Sequence, residues 1–330
     1  MKSSPPRGIS PPDRIDQRRV YKNSTIHVVV PAFNEEALVG SVIRTMPAFV
    51  DRIFVVDDCS TDATARVVEA VGEPRMTLLR TPRNLGVGGA TIVGYRAALA
   101  AGADVIVKMD GDGQMPPDAL PALLDAIVER GVDYAKGNRF LHAELVHRMP
   151  FERILGNVVL TFLTKLASGY WHVFDPQNGY TAVRASALRI IPLDRLHEGF
   201  FFENDMLVAL NIHNLRVADV PMPPVYSTEQ STLSIPAVIS TFPLLLVRRF
   251  FHRVVDKYVI RDFSPIALFL FVGLASLAFG TVFGGYLWIR GYESGLPTPT
   301  GSIILCLLAL VVGFQLCLQA IVLDIQATPR

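Results

Sequence analysis

Between about residue 26 and residue 109, short apolar runs alternate with stretches of helical length, and polar side chains follow each run directly. The apolar runs predict β-strands and the stretches between them predict crossover helices. This order is typical of a doubly wound, mostly parallel, Rossmann-like α/β sheet, which binds ligands outside the carboxyl ends of its strands. The predicted strands are 26–30, 52–56, 76–80 and 105–109, and the predicted helices are 35–46, 63–70 and 88–101.

Two uncharged apolar runs, 266–289 and 303–323, lie near the C-terminus and are joined by a Gly- and Pro-containing connector. Each exceeds the roughly 20 residues that cross a hydrocarbon core of about 30 Å. A buried helix is the alternative for either run alone, but two in tandem favour a transmembrane hairpin. Cations precede the first run, whereas the connector holds only Arg290, balanced by Glu293. The positive-inside rule therefore predicts an integral membrane protein with its N-terminal bulk and both termini in the cytoplasm.

Two other segments carry apolar faces. Residues 236–263 are amphipathic, and four cations at i, i+4 spacing predict a helix on the membrane surface with snorkelling side chains; a solvated basic face is the alternative. Residues 151–174 are also apolar, but Lys165 argues against a span, which leaves an interfacial helix, part of an acceptor pocket or a plain core helix. The four cations are Arg249, Arg253, Lys257 and Arg261.

Composition adds three limits. Half of the residues are hydrophobic and 18% are charged, and the net charge of +1 gives no reason to expect nucleic acid as a partner. The three cysteines do not form a disulfide framework. Residues 1–19 are rich in Pro, Ser and Arg without an apolar core, so we expect a disordered tail over 1–24 rather than a signal peptide.

The sharpest chemical signal is a pair of acids at the end of the fourth predicted strand. Asp110, Asp112 and Gln114 carry the oxygen atoms that a hard divalent cation such as Mg²⁺ or Mn²⁺ prefers. A calcium EF-hand is excluded because its sixth position would be Met115 and its twelfth Pro121. Asp-Gly pairs also form ordinary turns, so this motif alone leaves a structural β-turn open.

Two polar clusters accompany this motif. Glycines in 84–90 open the third predicted helix and let the backbone, at Gly86 in particular, approach a phosphate or sugar, although neither a dinucleotide fingerprint nor a Walker A loop is present. Asp57 and Asp58 directly follow the second strand. Helix capping explains part of residues 57–62, but two successive acids exceed what capping requires and can contact a nucleoside.

In this order, the segments resemble the family 2 glycosyltransferases of GT-A fold, and most closely the polyprenyl-phosphate sugar transferases, the dolichyl-phosphate mannose synthase-like group. The likeness runs from about residue 26 to 234 and is specific to the family, though not to the sugar. The motifs are Val30-Pro31-Ala32-Phe33-Asn34-Glu35-Glu36, Val56-Asp57-Asp58, Asn84-x-Gly86-x-Gly88 and Asp110-x-Asp112-x-Gln114.

The resemblance implies roles for individual residues. Arg139, at the end of Lys136-Gly137-Asn138-Arg139, and Arg153 would hold the acceptor phosphate. Asp205, or Glu203, would act as a base on a hydroxyl acceptor, and otherwise would orient the acceptor or anchor a helix. The nucleotide-sugar residues would be Pro31, Phe33, Glu35, Val56, Asp58, Gly86, Asp110, Gly111 and Gln114, and the metal ligands Asp110, Asp112 and Gln114.

The chain departs from the family pattern at three places. Cys59 stands where a glycine is usual and Asn138 where a serine is usual. More seriously, Leu233 occupies a region where relatives carry a lysine, so the cation that contacts the donor phosphates there is missing. The block 175–180 (Asp-Pro-Gln-Asn-Gly-Tyr) matches the family without departure.

The sequence therefore predicts an enzyme with four parts: a tail (1–24), a GT-A domain (25–235), juxtamembrane amphipathic helices (236–263) and a transmembrane hairpin (264–330). The expected activity is metal-dependent, inverting transfer of a sugar from a UDP-glucose or GDP-mannose type donor to undecaprenyl or dolichyl phosphate. The expected partners are the donor, this acceptor, the lipid bilayer and a second copy of the chain in a possible homo-oligomer. A processive or hydroxyl-acceptor polysaccharide transferase and a non-catalytic sugar-nucleotide-binding subunit remain as alternatives.

Overall fold

The fold comes from a computed structural model that describes residues 21–139, 151–222 and 235–329. Its centre is a seven-stranded sheet in the order β3-β2-β1-β4-β6-β5-β7. Neighbouring strands are parallel except at β6, which is antiparallel to both β4 and β5. The strands are β1 Ile26–Ala32, β2 Arg52–Asp57, β3 Met76–Arg80, β4 Val105–Lys108, β5 Tyr134–Asn138, β6 Thr181–Arg184 and β7 Val217–Pro221.

Helices cover both faces of this sheet, because its strands alternate their apolar side chains between two cores. Val28 and Val30 pack with α1, α2 and α4, whereas Val29 packs with α3, α6 and α7. The helices are α1 Val39–Arg44, α2 Thr64–Val71, α3 Gly86–Ala100, α4 Leu120–Val128, α5 Phe151–Ser168, α6 Ala185–Ile190, α7 Phe202–Ile212, α8 Ile235–Val255, α9 Pro265–Ser294 and α10 Thr300–Gln326.

The sequence predictions for the first half of the sheet are confirmed, with shifts of one or two residues at most strand and helix ends. The main difference is α1, which begins at Val39 rather than at residue 35. Asn34 adopts a left-handed backbone with φ of 58°, and turns precede the helix. The backbone N–H of Glu35 donates to the Thr64 hydroxyl at 2.8 Å, so this loop bonds to the next one instead of joining the helix.

Helices α9 and α10 are both long and apolar enough to cross a membrane, and they could form a transmembrane hairpin. They approach closely where Gly273 faces Gly313, since a Cβ on either glycine would lie 2.9 Å from the carbonyl oxygen of the other. Small residues that allow such approach are typical of helix pairs in membranes. Leu and Phe side chains cover their outer faces and are exposed.

The prediction of snorkelling cations before this hairpin is wrong for two of the four residues. Arg253 is fully buried and forms a bidentate ion pair with Asp324 near the end of α10, at 2.7 and 2.8 Å. Lys257 is also buried and donates to the Asn211 side chain at 2.8 Å. The helical spacing was read correctly, but these cations face the globular domain, where buried charges need partners.

Helix α5 has two faces. Leu160, Leu163 and Ala167 pack towards α7 and α8, while Val158 and Phe162 are exposed. A plain core helix would bury both faces, so the interfacial and acceptor-pocket interpretations of this segment stay open as predictions. Residues 140–150 and 223–234, including the segment around Leu233, lie outside the described residues.

Candidate active site

Residues 110–114, here called the acidic loop, follow β4 next to β1 in the middle of the sheet. The Met109 N–H donates to the Val29 carbonyl at 3.0 Å, and the Gly111 N–H donates to the Pro31 carbonyl at 3.2 Å. A Cβ added to Gly111 would lie 3.4 Å from that carbonyl and 3.6 Å from Glu35. The structure therefore brings the polar ends of the first and fourth predicted strands together.

Asp110 and Asp112 are both partly open to solvent. The Asp110 side chain is 25% exposed, and Asp112 is half-buried and accepts the Gln114 N–H at 2.9 Å. These carboxylates and the Gln114 amide oxygen fit a hard divalent cation. Within the described residues, no group of three or more His, Cys, Asp or Glu surrounds a metal position. The remaining ligands of such an ion would come from water and a phosphate, as is usual for Mg²⁺ at nucleotide sites.

Lys108 is the charged residue that contacts Asp110, and it was not identified from the sequence. Its ammonium is buried, 2.6 Å from Asp110 and 3.1 Å from Glu203 at the start of α7. Burial by itself lowers the pKa of Lys108, but the two carboxylates outweigh it and raise the pKa above its ordinary value. The lysine therefore stays charged and fixes the position of Asp110. A lysine inside an otherwise apolar strand was the available signal, because such a group needs a buried partner.

The family block at 175–180 closes over the acidic loop. A Cβ on Gly179 would lie 2.6 Å from both Asp110 Oδ2 and Lys108 Nζ, so only glycine fits there. The Asn178 carbonyl accepts a hydrogen bond from Lys136, a fully buried residue of β5. Burial lowers the pKa of Lys136 to about 8, against the opposing effect of Glu203 and Asp175.

Arg139 leaves the end of β5 and forms a bidentate ion pair with Asp175. Its Nε and one terminal nitrogen donate to the carboxylate at 2.8 and 3.1 Å, and its backbone N–H donates at 3.2 Å. Asp175 is buried, whereas the Arg139 side chain is 41% exposed. Asp175 thus fixes an arginine that remains accessible to an anionic ligand. Arg153 lies in α5, but its side chain is outside the described part of the chain, so its role stays a prediction.

At the carboxyl end of the neighbouring strand, Phe33 and Glu35 follow β1. We call the space between this end and the acidic loop the crevice. Phe33 is 44% exposed and Glu35 is half-buried. Asn34 accepts the backbone N–H of Thr61 at 2.9 Å, which joins the loop after β1 to the loop after β2. An exposed aromatic ring can stack on a base, and a neighbouring carboxylate can accept hydrogen bonds from a ribose. Together they suit a nucleoside.

The loop at Gly86 packs against protein backbone, and its expected approach to a phosphate stays a prediction. A Cβ on Gly86 or Gly88 would lie 2.9 or 2.7 Å from the Glu198 carbonyl oxygen. The Gly89 N–H donates to the same oxygen at 2.8 Å. These glycines allow the loop before α7 to pack against α3.

Two residues expected in the nucleotide pocket, Asp58 and Val56, contact the protein interior, and their part in the pocket stays a prediction. Asp58 is buried and accepts the backbone N–H groups of Leu85 and Gly86 at 2.9 and 2.7 Å, together with the Thr81 hydroxyl. It holds the loop before α3 in place. Val56 is fully buried in the core beneath the sheet. Neither side chain faces the open crevice. Pro31 and Gly111 are also buried, and the bond between them joins the acidic loop to the end of β1.

Asp205, the expected catalytic acid, is engaged by the protein itself, and its catalytic role stays a prediction. Its carboxylate pairs with Arg249 of α8 at 2.5 Å and accepts the His197 N–H at 2.8 Å. Burial raises the pKa of Asp205, and the Arg249 guanidinium opposes that effect. Residues two apart on a helix face different sides, so Asp205 points away from the Lys108 contact that Glu203 makes. Of the two non-catalytic roles expected for this acid, orienting the acceptor and anchoring a helix, the second fits these contacts.

Comparison with solved structures supports the fold. Glucosyl-3-phosphoglycerate synthase from Mycobacterium tuberculosis, solved with Mn²⁺, uridine diphosphate and glucosyl-3-phosphoglycerate, superimposes with a TM-score of 0.52. The two chains are 22% identical, and the match covers 70% of this chain and 80% of the synthase. The fold is thus the GT-A fold.

The family follows from the sequence comparisons. The profile of glycosyl transferase family 2 matches residues 27–191, and the chain belongs to that family. A UDP-N-acetylglucosamine–dolichyl-phosphate N-acetylglucosaminyltransferase from Methanococcus voltae is 29% identical over 61% of this chain and 86% of its own length. An undecaprenyl-phosphate mannosyltransferase from Micrococcus luteus is 32% identical over 59% of this chain and 81% of its own length. The homologues are polyprenyl-phosphate sugar transferases, which confirms the resemblance.

Proposed function

We propose that this protein transfers a sugar from a nucleotide-sugar donor to the phosphate of a polyprenyl phosphate at the cytoplasmic face of a membrane. The observation that carries this proposal is the arrangement of opposite charges in one crevice. The Asp110 carboxylate packs against Gly179, and the same block begins with Asp175, which holds the partly exposed Arg139. One part of the crevice suits a metal-bound diphosphate, and the neighbouring part suits a second phosphate.

The donor would lie along the ends of β1 and β4. Phe33 and Glu35 are placed to contact the nucleoside, and Asp110, Asp112 and Gln114 would hold Mg²⁺ or Mn²⁺ against the diphosphate. Such a cation, when bound, stabilises the charge that develops on the departing nucleoside diphosphate. Lys108 keeps Asp110 in the position that this contact requires.

The acceptor decides how much acid–base chemistry the site needs. A sugar hydroxyl is un-ionised at neutral pH and needs a general base. A lipid monophosphate is already an anion, with a second pKa of about 6. Glu203, which is bonded to Lys108, and Asp205, which is bonded to Arg249, are both engaged in ion pairs. A phosphate acceptor is therefore consistent with a site whose acids hold structure.

Catalysis then consists of bringing two anions together in a reactive geometry. Arg139 offsets the charge of the acceptor phosphate. Because Asp175 already fixes the guanidinium, binding of the phosphate restricts this side chain little further. A single direct displacement at the anomeric carbon would invert its configuration and give a β-linked product from an α-linked donor. The apolar hairpin would keep the crevice near the bilayer that contains the acceptor.

The test is transfer of radiolabel from a panel of nucleotide sugars to undecaprenyl or dolichyl phosphate, with membranes containing the full chain. We expect a chloroform-soluble labelled product that depends on added Mg²⁺ or Mn²⁺ and on the lipid phosphate. Membranes without the protein and reactions with the corresponding free polyprenol are the controls. Label in a water-soluble polysaccharide, or equal labelling of the free polyprenol, would contradict the proposal.

A further inference from the structure

A cavity lies away from the acidic loop, beside the C-terminal half of α8. It measures about 470 Å³. Asp205 borders an adjoining smaller cavity that shares part of this lining. Because Asp205 points away from the Lys108 contact of Glu203, these cavities are separate from the crevice of the proposed reaction. The larger cavity is lined by Arg195, Phe251, His252, Val255, Asp256 and Ile260.

The polar side of this lining favours an anion. Arg195 and His252 are exposed and have no ion-pair partner among the residues that the structure describes. Two carboxylates are present, but both have cations of their own: Asp205 pairs with Arg249 at 2.5 Å, and Asp256 lies 3.5 Å from Arg261. The balance that remains at the cavity is therefore positive.

The other side of the lining is apolar and leads directly to the predicted membrane span. Ile260 lines the cavity and is 71% exposed, and Phe263, three residues further, is 78% exposed. Helix α9 begins at Pro265. The helical chain ends at Arg261 and Asp262 is extended, so a short non-helical link joins this side of the cavity to α9. The cavity therefore lies directly before the predicted span.

We propose that this cavity binds the phosphate-bearing headgroup of an anionic membrane phospholipid. Arg195 and His252 contact the headgroup, while Phe251, Val255 and Ile260 contact the upper part of the acyl chains. Cations next to exposed apolar side chains suit a lipid, whose charge and hydrocarbon lie on adjacent levels. The inference rests on the membrane insertion in the proposed function, and it is independent of which sugar is transferred.

The test measures lipid retention by the purified full chain, without any donor. The protein is placed in mixed micelles with phosphatidylglycerol or phosphatidylcholine, and retained lipid is counted by native mass spectrometry. We expect preferential retention of phosphatidylglycerol, and about a fivefold loss of it in Arg195→Gln, the size expected for one cation at an anionic surface. His252→Gln tests the second contact in the same way.

Arg130→Gln is the matched control, because Arg130 is an exposed arginine just after α4, on the opposite face of the sheet from α7. Its lipid retention should equal that of the unaltered protein. Equal retention of the two lipids, an unchanged Arg195→Gln variant, or equal losses in Arg195→Gln and Arg130→Gln would each overturn the proposal. Sugar transfer is measured separately, so an inactive protein that still selects phosphatidylglycerol would contradict only the proposed function.

Discussion

Two groups of buried charges hold this molecule together, and they differ in what they leave open. At the acidic loop, Lys108 is buried between Asp110 and Glu203, yet the Asp110 carboxylate keeps a quarter of its surface exposed. Near the end of α10, Arg253 and Asp324 are both buried, and the Tyr258 hydroxyl completes the pair with a 2.6 Å bond to Asp324.

The difference shows how similar ion pairs serve separate purposes. Both carboxylate oxygens of Asp324 accept hydrogen bonds from the protein, so this group attaches the hairpin to the globular domain. Asp110 uses one oxygen for Lys108 and packs the other against Gly179, and a quarter of its side chain stays exposed. We therefore expect changes at the first group to affect sugar transfer, and changes at the second to affect stability.

The largest effect should come from Asp112→Ala. Removing one of two carboxylates that hold the metal should reduce transfer by about 10³-fold, the size of losing a main charge-stabilising group. The side chain is half-buried at the surface of a loop, so the thermal unfolding temperature should stay within a few degrees of the parent. Initial rates and unfolding of the same purified sample check both expectations. Full activity would contradict the metal assignment.

Asp324→Ala should destabilise the protein by about 3–5 kcal/mol, because it leaves Arg253 buried without a counter-ion. Thermal unfolding in detergent measures the loss. The double variant Arg253→Met/Asp324→Leu removes both charges and should recover most of it. Activity per folded molecule should remain close to that of the parent in both variants. A stable single variant would show that the pair does not hold α10 against the domain.

Lys108→Met should lower kcat by about 100-fold, similar to the loss of other residues that orient metal ligands. Asp110 loses the group that positions it, and the metal concentration for half-maximal rate should change as well. Glu203→Gln retains Lys108 and a hydrogen-bonding side chain, so its loss should be smaller. An unchanged metal dependence in Lys108→Met would argue that the lysine only stabilises the fold.

Arg139→Ala should raise the KM for the lipid phosphate about tenfold and leave the KM for the donor nearly unchanged, since a charge-assisted contact to phosphate is lost. Arg139→Lys retains the charge but not the bidentate bond to Asp175, so it should recover only part of the effect. Steady-state rates with each substrate varied in turn separate the two constants. Equal changes in both would indicate a structural role for this arginine.

The smallest effect should come from Cys59→Gly. Cys59 has a φ of 62°, a left-handed conformation that a glycine adopts without strain. Relief of strain and the greater freedom of glycine in the unfolded chain oppose each other, so we expect a change within about 1 kcal/mol. Thermal unfolding checks it, with Cys317→Ser as a comparison in α10. A large loss of stability would show that the thiol has a contact that matters.

Much of the fold could be predicted because it depends on local pattern. The alternation that places Val28 and Val29 in different cores, and the uncharged length of α9 and α10, are properties of neighbouring residues. The pairing of β6 was not predicted, because this strand has only four residues and its antiparallel direction depends on β4 and β5. The acidic loop was found because its residues are adjacent in sequence.

The same limit applies to the contacts at the site. Gly86 and Asp58 belong to family motifs, but their contacts are with Glu198 and with the loop before α3, which no local pattern indicates. Asp205 was assigned from its place beside Glu203. The helix turns the two side chains to different sides, and only the packed position of α8 shows which of them meets Arg249.

The sequence by itself determined the first four strands with the helices between them, the apolar hairpin, the family and the acidic loop, because each depends on residues close together in the chain. The tertiary structure decided which charge meets which. Lys108 and Glu203 come from distant elements, and Arg253 and Asp324 are 71 residues apart. A buried charge requires some partner, and that requirement is visible in the sequence. The identity of the partner depends on how the helices pack, which only the folded chain defines.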